Sequence, residues 1–434
     1  MIKTIINAFK LPDIRKKLLF TAFIILIFRI GSVIPVPFLN ITEEISVGKG
    51  NTILTYLSLM TGSAFTYGTI FAMSITPYIN SSIIMQLLAV AIPALENLQK
   101  EGEEGKKKIS TITRIVTIVL GLLQSLAYFF FLRANNYLET FPNASTFDLV
   151  FQAVVIIAVL TAGTAVIMWL GEQITIDGIG NGISIILFAG IVSRFPTIIR
   201  QLFGYLDTER KVYYVLVPVV CVCFLLMMAY IVLLDNAERR LPIQYAKRVV
   251  GRKMYGGQSS HLPIKVGLSG VMPIIFASSI LSIPSTIEFF IGSKNITGFW
   301  RSFFDAFSMG GWLYIALEFL LILGFAYFYV AIQYNPVEMA NNLRQNNGTI
   351  PGIRPGKPTV DFIAKVLSKI TLIGALFLAI IALVPLLYSK LTGLNTSSLM
   401  MGGTSVIILV GVALETLKQL ESQMMMRHYK GFLD

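Results

Sequence analysis

The sequence predicts an all-α polytopic membrane protein with about ten transmembrane helices, and three observations carry that prediction. The 434 residues are 55% hydrophobic and only 13% charged, with a mean hydropathy of +0.73; a soluble domain carries about a quarter charged residues. Apolar runs of about 20 residues, enough to cross ~30 Å of hydrocarbon as a helix, recur along the chain. Basic residues gather in alternate connections, as orientation in a membrane requires. No stretch of about 100 residues is polar enough to form a separate soluble domain.

The spans fall near 18–38, 71–93, 114–133, 149–170, 183–203, 212–234, 266–291, 312–333, 369–389 and 403–421. The first follows a basic amphipathic stretch, Met1 to Lys17, and is too long for the apolar region of a cleavable signal. The second is preceded by Leu54 to Ile70, which is half apolar, rich in Gly, Ser and Thr, and too short and polar to span. It reads as a re-entrant piece, since broken backbone is tolerated at membrane depth only where protein or water covers it. The fifth span is weakened by Arg194, Pro196 and Arg200. It is entered through Gly178-Ile179-Gly180-Asn181-Gly182, read as a tight turn with Asn181 able to cap the next helix rather than as a nucleotide loop. Ten spans divide as five plus five, residues 1–203 and 204–434, and an odd number per half gives inverted topology.

Basic residues then orient the chain. Lys3, Lys10, Arg15, Lys16 and Lys17 precede span one, and Lys100 and Lys106 to Lys108 follow span two. Segments 235–265 and 334–368 carry most of the rest, and all four fall on one side. Both termini are expected in the cytoplasm. The latter two segments are long for connections between packed helices. They combine Arg239, Arg240, Lys247, Arg248, Arg252, Lys253, Arg344 and Arg354 with turn-forming Gly and Pro, which suits ordered, protruding loops that meet a partner.

Signals for catalysis are weak. Cys221 and Cys223 point to different faces of one helix, and His261 and His428 are the only histidines. No H-E-x-x-H, G-x-S-x-G or Walker loop is present. No enzyme activity, cofactor or metal is expected. Arg29, Arg194, Glu318 and Glu415 fall inside apolar runs, where charge is a functional suspect by default; packing or pairing within the bundle accounts for each equally well. A secondary transporter of a small solute is the alternative reading, and it would need more carboxylates around a shared midplane site.

Several strings are more specific. Span one ends in F-R-I-G-S-V-I-P-V-P from Phe28, and span two reads I-T-P-Y-I-N-S-S-I-I-M-Q-L-L from Ile75. Further on come K-E-G-E from Lys100, D-G-I-G-N-G-I-S from Asp177, A-E-R-R-L-P-I-Q-Y-A-K-R from Ala237, Y-G-G-Q-S-S-H-L-P-I-K from Tyr255, and I-P-G-I-R-P-G from Ile350. In this order they resemble the SecY family, whose members form the pore of the bacterial protein-conducting channel, and the resemblance runs in register from about Lys10 to the last span.

The resemblance implies a clamshell of two pseudo-symmetric, inverted five-helix halves around an hourglass pore, with a re-entrant plug helix. A ring of apolar side chains would form the constriction: Ile79, Ile83, Ile183, Leu187, Met272, Ile275 and Ile408. The pairs 79/83 and 183/187 are i,i+4 neighbours, so each lies on one helix face. An apolar constriction excludes ions by dewetting yet can part for a chain. The plug would occupy about 56–70, with Tyr56, Leu57, Met60, Gly62, Ser63, Phe65 and Gly68, as a small, weakly held helix. A lateral gate between spans two and three and spans seven and eight would include Gln86, Gln124, Ser278 and Ser279. Implied partners are the small membrane subunits SecE and SecG, the SecA ATPase, the ribosome with its RNA, signal peptides, nascent chains and the surrounding lipid. Arg354, held by two prolines and two glycines on a stiff turn, would be presented to the motor.

Overall fold

The computed structural model describes residues 8–40, 64–139, 146–206, 212–245, 248–250, 253–255, 259–268, 270–291, 298–307, 311–392 and 403–430. The chain is mostly helical. In order come α1 (Pro12–Gly31), α2 (Thr76–Ala91), α3 (Pro93–Lys100), α4 (Glu103–Ala134), α5 (Thr146–Asp177), α6 (Gly182–Val192), α7 (Phe195–Leu206) and α8 (Val212–Asn236). Strands β1 (Glu238–Tyr245), β2 (Arg248–Val250), β3 (Lys253–Tyr255) and β4 (Ser259–Lys265) follow. The chain continues through α9 (Met272–Ile291), α10 (Phe299–Ala306), α11 (Trp312–Gln333), α12 (Pro336–Gln345), β5 (Gly348–Thr349), α13 (Lys357–Thr392) and α14 (Gly403–Lys430).

Among the described residues seven stretches are long and apolar enough to span a membrane, one of them α6 and α7 taken together, and the bent pair α2–α3 makes an eighth. The other two predicted spans are α1, which carries Asp13, Arg15, Lys16, Lys17 and Arg29, and α9, whose apolar run is Met272–Leu281.

Helix ends differ from the predicted spans where charged residues continue a helix into water. Helix α4 begins at Glu103 rather than near 114, and α13 at Lys357 rather than near 369. Span one stops at Gly31, short of 38, and Pro35 and Pro37 lie in the irregular segment beyond. Span two begins at Thr76 rather than 71, after an irregular run of turns. It breaks at Ile92, where Pro93 holds its predecessor extended at φ −109°, ψ 112°, and the chain bends by 101° into α3. Span five is two helices, α6 and α7, separated at Ser193 and Arg194, with Pro196 in the first turn of α7 where a missing N–H costs nothing. Asn181 caps α6 as expected: its side chain accepts from the backbone N–H groups of Ile183 (3.1 Å) and Ser184 (3.3 Å).

Helix packing places α1 on α5, α2 on α4, α4 on α5, and α5 on α6. In the second part α9 packs on α11, α11 on α13, and α14 on α8 and α13. The two groups meet where α6 touches α14 and where α4 touches α9. One large apolar core runs through both groups, joining Phe28, Ile75, Leu170, Ile186 and Leu187 to Ile274, Ile322, Ala379 and Ile408.

The two long connections are not separate loops. Strands β1 and β4 pair antiparallel from Glu238↔Lys265 to Gln244↔Ser259, and β5, from the second connection, pairs with Gln244 and Tyr245 of β1. The resulting sheet, β4-β1-β5, has its own apolar core: Leu241, Ile243 and Ile264 pack with Leu343, Ile350, Ile363 and Leu367. Side chains alternate along β1, with Leu241 and Ile243 buried between exposed Arg240, Pro242 and Gln244. Proline at 242 is tolerated because β5 stops short of it, leaving that side of β1 an edge.

Candidate functional site

Five of the seven predicted ring residues lie in the central core or pack against it. Leu187 of α6 and Ile408 of α14 are buried within it. Ile79 of α2, Ile183 of α6 and Ile275 of α9 are partly buried and pack against it. The core therefore brings together five of the seven positions, drawn from four helices. Ile83 is buried on α2 but lies outside that cluster, and Met272, at the first residue of α9, is 36% exposed.

A polar contact lies one turn from Ile275. The Ser279 hydroxyl of α9 is 3.5 Å from Asn80 Oδ1 of α2, so it joins the two helix groups beside Ile79. Asn80 was not singled out from the sequence, although it sits between two ring candidates' turns on α2; one Asn in an apolar run was the signal. Ser278 is buried, and Gln124 of α4 has a buried Oε1 with no hydrogen-bond partner among the described residues. Gln86 is exposed, and its Nε2 donates to Ser82 Oγ at 3.4 Å within α2.

Of the predicted plug residues, Tyr56, Leu57, Met60, Gly62 and Ser63 lie outside the described residues; Phe65 and Gly68 lie within them. Residues 64–75 form successive turns rather than a helix, and most are buried. Tyr128 of α4 donates its hydroxyl to the Phe65 carbonyl at 2.7 Å, and the two rings lie 4.7 Å apart. Gly68 takes φ +57° in this turn, and its carbonyl accepts from Val36 N–H at 2.9 Å. Gly163 of α5 lets the segment approach closely: a Cβ there would lie 2.2 Å from the Ile70 carbonyl oxygen. Tyr128 was missed because an aromatic residue in an apolar span carries no signal of what its hydroxyl meets.

The basic candidates decorate the sheet and its flanks. Arg239 and Arg240 are exposed on β1, with Arg240 Nε 4.0 Å from Glu238 Oε2. An exposed pair at that distance contributes little to stability and leaves the charge available. Arg248 starts β2 and Lys253 starts β3, in one hairpin; Lys247 and Arg252 lie outside the described residues. Arg344 is exposed in the last turn of α12. Arg354 is exposed on the turn 350–356, where Gly352 and Gly356 take φ +80° and +108°. The Arg354 carbonyl accepts from Thr359 Oγ1 at 2.9 Å, which ties the turn to the start of α13.

The intramembrane charges separate. Arg29 and Glu415 are exposed, while Glu318 of α11 is 3% exposed, with Oε2 lacking a hydrogen-bond partner among the described residues. Arg194 lies at the α6–α7 break. Cys221 and Cys223 are both free thiols on α8. Among the described residues no cluster of three His, Cys, Asp or Glu side chains could hold a metal ion.

Comparison with known proteins matches residues 69–417 to the SecY family model. The protein translocase subunit SecY of Bacillus licheniformis is 43% identical, with all of both chains covered. A solved structure of a protein-conducting channel superposes with a TM-score of 0.61 at 16% identity, covering 94% of this chain and 92% of the other. Sec61 in the canine ribosome–channel complex from the endoplasmic reticulum gives 0.58 at 15% identity, with 94% and 92% covered. At such identities the two structures speak for a shared fold.

Proposed function

The chain belongs to the SecY family, and from that premise we propose that it is the central channel subunit of a Sec translocon. It passes unfolded secretory proteins across the cytoplasmic membrane and releases transmembrane segments sideways into the lipid. The observation that carries this reading is the apolar core at the meeting of the two helix groups, with Leu187, Ile408, Ile79, Ile183 and Ile275 in or against it. Such a lining offers a passing chain no strong site and an ion no hydration.

The halves 1–203 and 204–434 part around this core. Ile83 and Met272 complete the constriction from α2 and α9. Residues 56–70 plug one mouth, and Gln86, Gln124, Ser278 and Ser279 line the seam through which an apolar segment leaves water for lipid. The pore is passive and catalyses no reaction. Force comes from a SecA-type ATPase or a ribosome docked on Arg239, Arg240, Lys247, Arg248, Arg252, Lys253, Arg344 and Arg354; contacts to ribosomal RNA phosphates would weaken with salt. SecE- and SecG-type subunits complete the complex, and both termini face the cytoplasm.

A small-solute carrier needs charged ligands gathered at the midplane, and among the described residues Glu318 is the one buried carboxylate. The test is reconstitution in liposomes with the small subunits, the ATPase and ATP. A labelled preprotein should become resistant to added protease. Absence of protection, with the same components active on a working channel, would contradict the reading.

A further inference from the structure

The connection between α9 and α11 holds a helix that no part of the channel reading uses. Helix α10 has the sequence F-W-R-S-F-F-D-A from Phe299. Phe299, Trp300, Phe303 and Phe304 recur at i, i+1, i+4 and i+5 and share one face; Arg301 and Ser302 occupy the other. Phe304 is buried against the protein, but Phe299 is 78% exposed and Trp300 60% exposed. The rings contact one another, with Trp300 6.0 Å from Phe303 and Phe303 5.5 Å from Phe304, so they form one continuous aromatic surface.

The position of α10 along the membrane normal follows from its neighbours. Helix α9 starts beside the sheet and α11 ends beside it, so the segment joining them lies at the opposite end of the bundle. At 1.5 Å per residue α11 is about 33 Å long, enough for its ends to reach both surfaces of a ~30 Å hydrocarbon layer. Its first residue, Trp312, is exposed, and Lys390 Nζ lies 4.0 Å from the Trp312 ring centroid. An exposed Trp paired with a cation marks the headgroup level. Helix α10 packs against both α9 and α11, which themselves expose apolar side chains: Leu313 of α11 and Ile283 and Ile287 of α9.

We propose that α10 is an interfacial anchor, lying along the phospholipid headgroup layer on the membrane face opposite the sheet, with Phe299, Trp300 and Phe303 at the acyl-chain boundary. A surface of this size and composition is unfavourable in water and too polar on its reverse for the hydrocarbon interior; the interface satisfies both faces. The anchor fixes the far ends of α9 and α11 at one depth while leaving the pair free to move away from α2 and α4 in the membrane plane.

Trp300 reports its own position, because the chain has three tryptophans. In the Trp169→Phe/Trp312→Phe variant, Trp300 is the sole emitter. Reconstituted in phosphatidylcholine–phosphatidylglycerol vesicles, it should emit at shorter wavelength than free tryptophan. Nitroxide lipids labelled near the headgroup should quench it more strongly than lipids labelled near the chain end, and aqueous iodide should quench it weakly. Strong iodide quenching without lipid quenching would overturn the proposal, as would strongest quenching from the chain-end label. Quenching by neither, with emission that shifts on dilution of protein in the vesicles, would assign the face to a second copy and overturn it too. If that variant fails to fold, Phe299→Cys in a Cys221→Ser/Cys223→Ser background carries a nitroxide to the same face. Its relaxation should respond to oxygen more than to a water-soluble nickel chelate; the reverse preference would overturn the proposal. Neither readout depends on translocation, so either can fail while the channel reading stands.

Discussion

At the sheet, Leu241 and Ile243 insert between β4 and the α12–α13 corner, and backbone pairing runs unbroken from Glu238 to Gln244. At the meeting of α2 and α9, Ile79 and Ile275 pack against the apolar core, and a long polar contact, Ser279 to Asn80 at 3.5 Å, lies beside them. The first region is built from directional bonds and a core of its own. The second relies on non-directional burial, which can be lost and regained as helices slide apart. The proposed channel calls for such a difference, a firm docking surface attached to a seam that opens, and the sheet's core includes Val330 of α11 and Ile363 and Leu367 of α13, helices that pack on α9.

The largest expected effect is on the firm side. Ile243→Ala removes a fully buried branched side chain and should cost about 2–5 kcal/mol locally. Residues 235–265 and 334–368 should then become protease-sensitive together, while the spans stay inserted. Cleavage confined to one connection would separate what the sheet joins.

Arg354→Glu should leave the fold intact and lower ATPase-driven translocation by about tenfold or more, through charge reversal on an exposed, stiff turn. Unchanged translocation would remove Arg354 from the docking surface.

On the soft side, Ile275→Asn places an amide in the apolar core and should raise ion conductance in planar bilayers, because a wetted constriction no longer excludes ions. An unaltered conductance would break the link between this core and the seal. Ser279→Ala should act least, about 0.6 kcal/mol or roughly threefold in the open fraction. An effect as large as that of Ile275→Asn would mean that the seam is held by its polar contact rather than by burial.

The sequence carried the spans well because twenty apolar residues have few uses other than crossing lipid. It carried their ends poorly. Glu103 to Thr113 and Lys357 to Ser368 are helical by continuation, with charge on faces that hydropathy cannot distinguish from a loop. The sheet was hidden for a different reason. Pro242 and Pro263 argue against strands, and only the edge positions that they occupy make them admissible. Asn181 was legible as a cap because its effect is local. The Tyr128–Phe65 and Ser279–Asn80 contacts join residues 63 and 199 positions apart, and one sequence holds no sign of such pairs.

The central claim is that the apolar core around Ile79 and Ile275 is the path of a moving chain. A photo-crosslinker at either position, in a translocon holding a stalled secretory protein, tests it directly; Leu225 on the outer side of α8, 64% exposed, is the control. Crosslinks to the stalled chain from 79 and 275 and none from 225 are predicted. Equal labelling from all three, or labelling from 225 alone, would contradict the account.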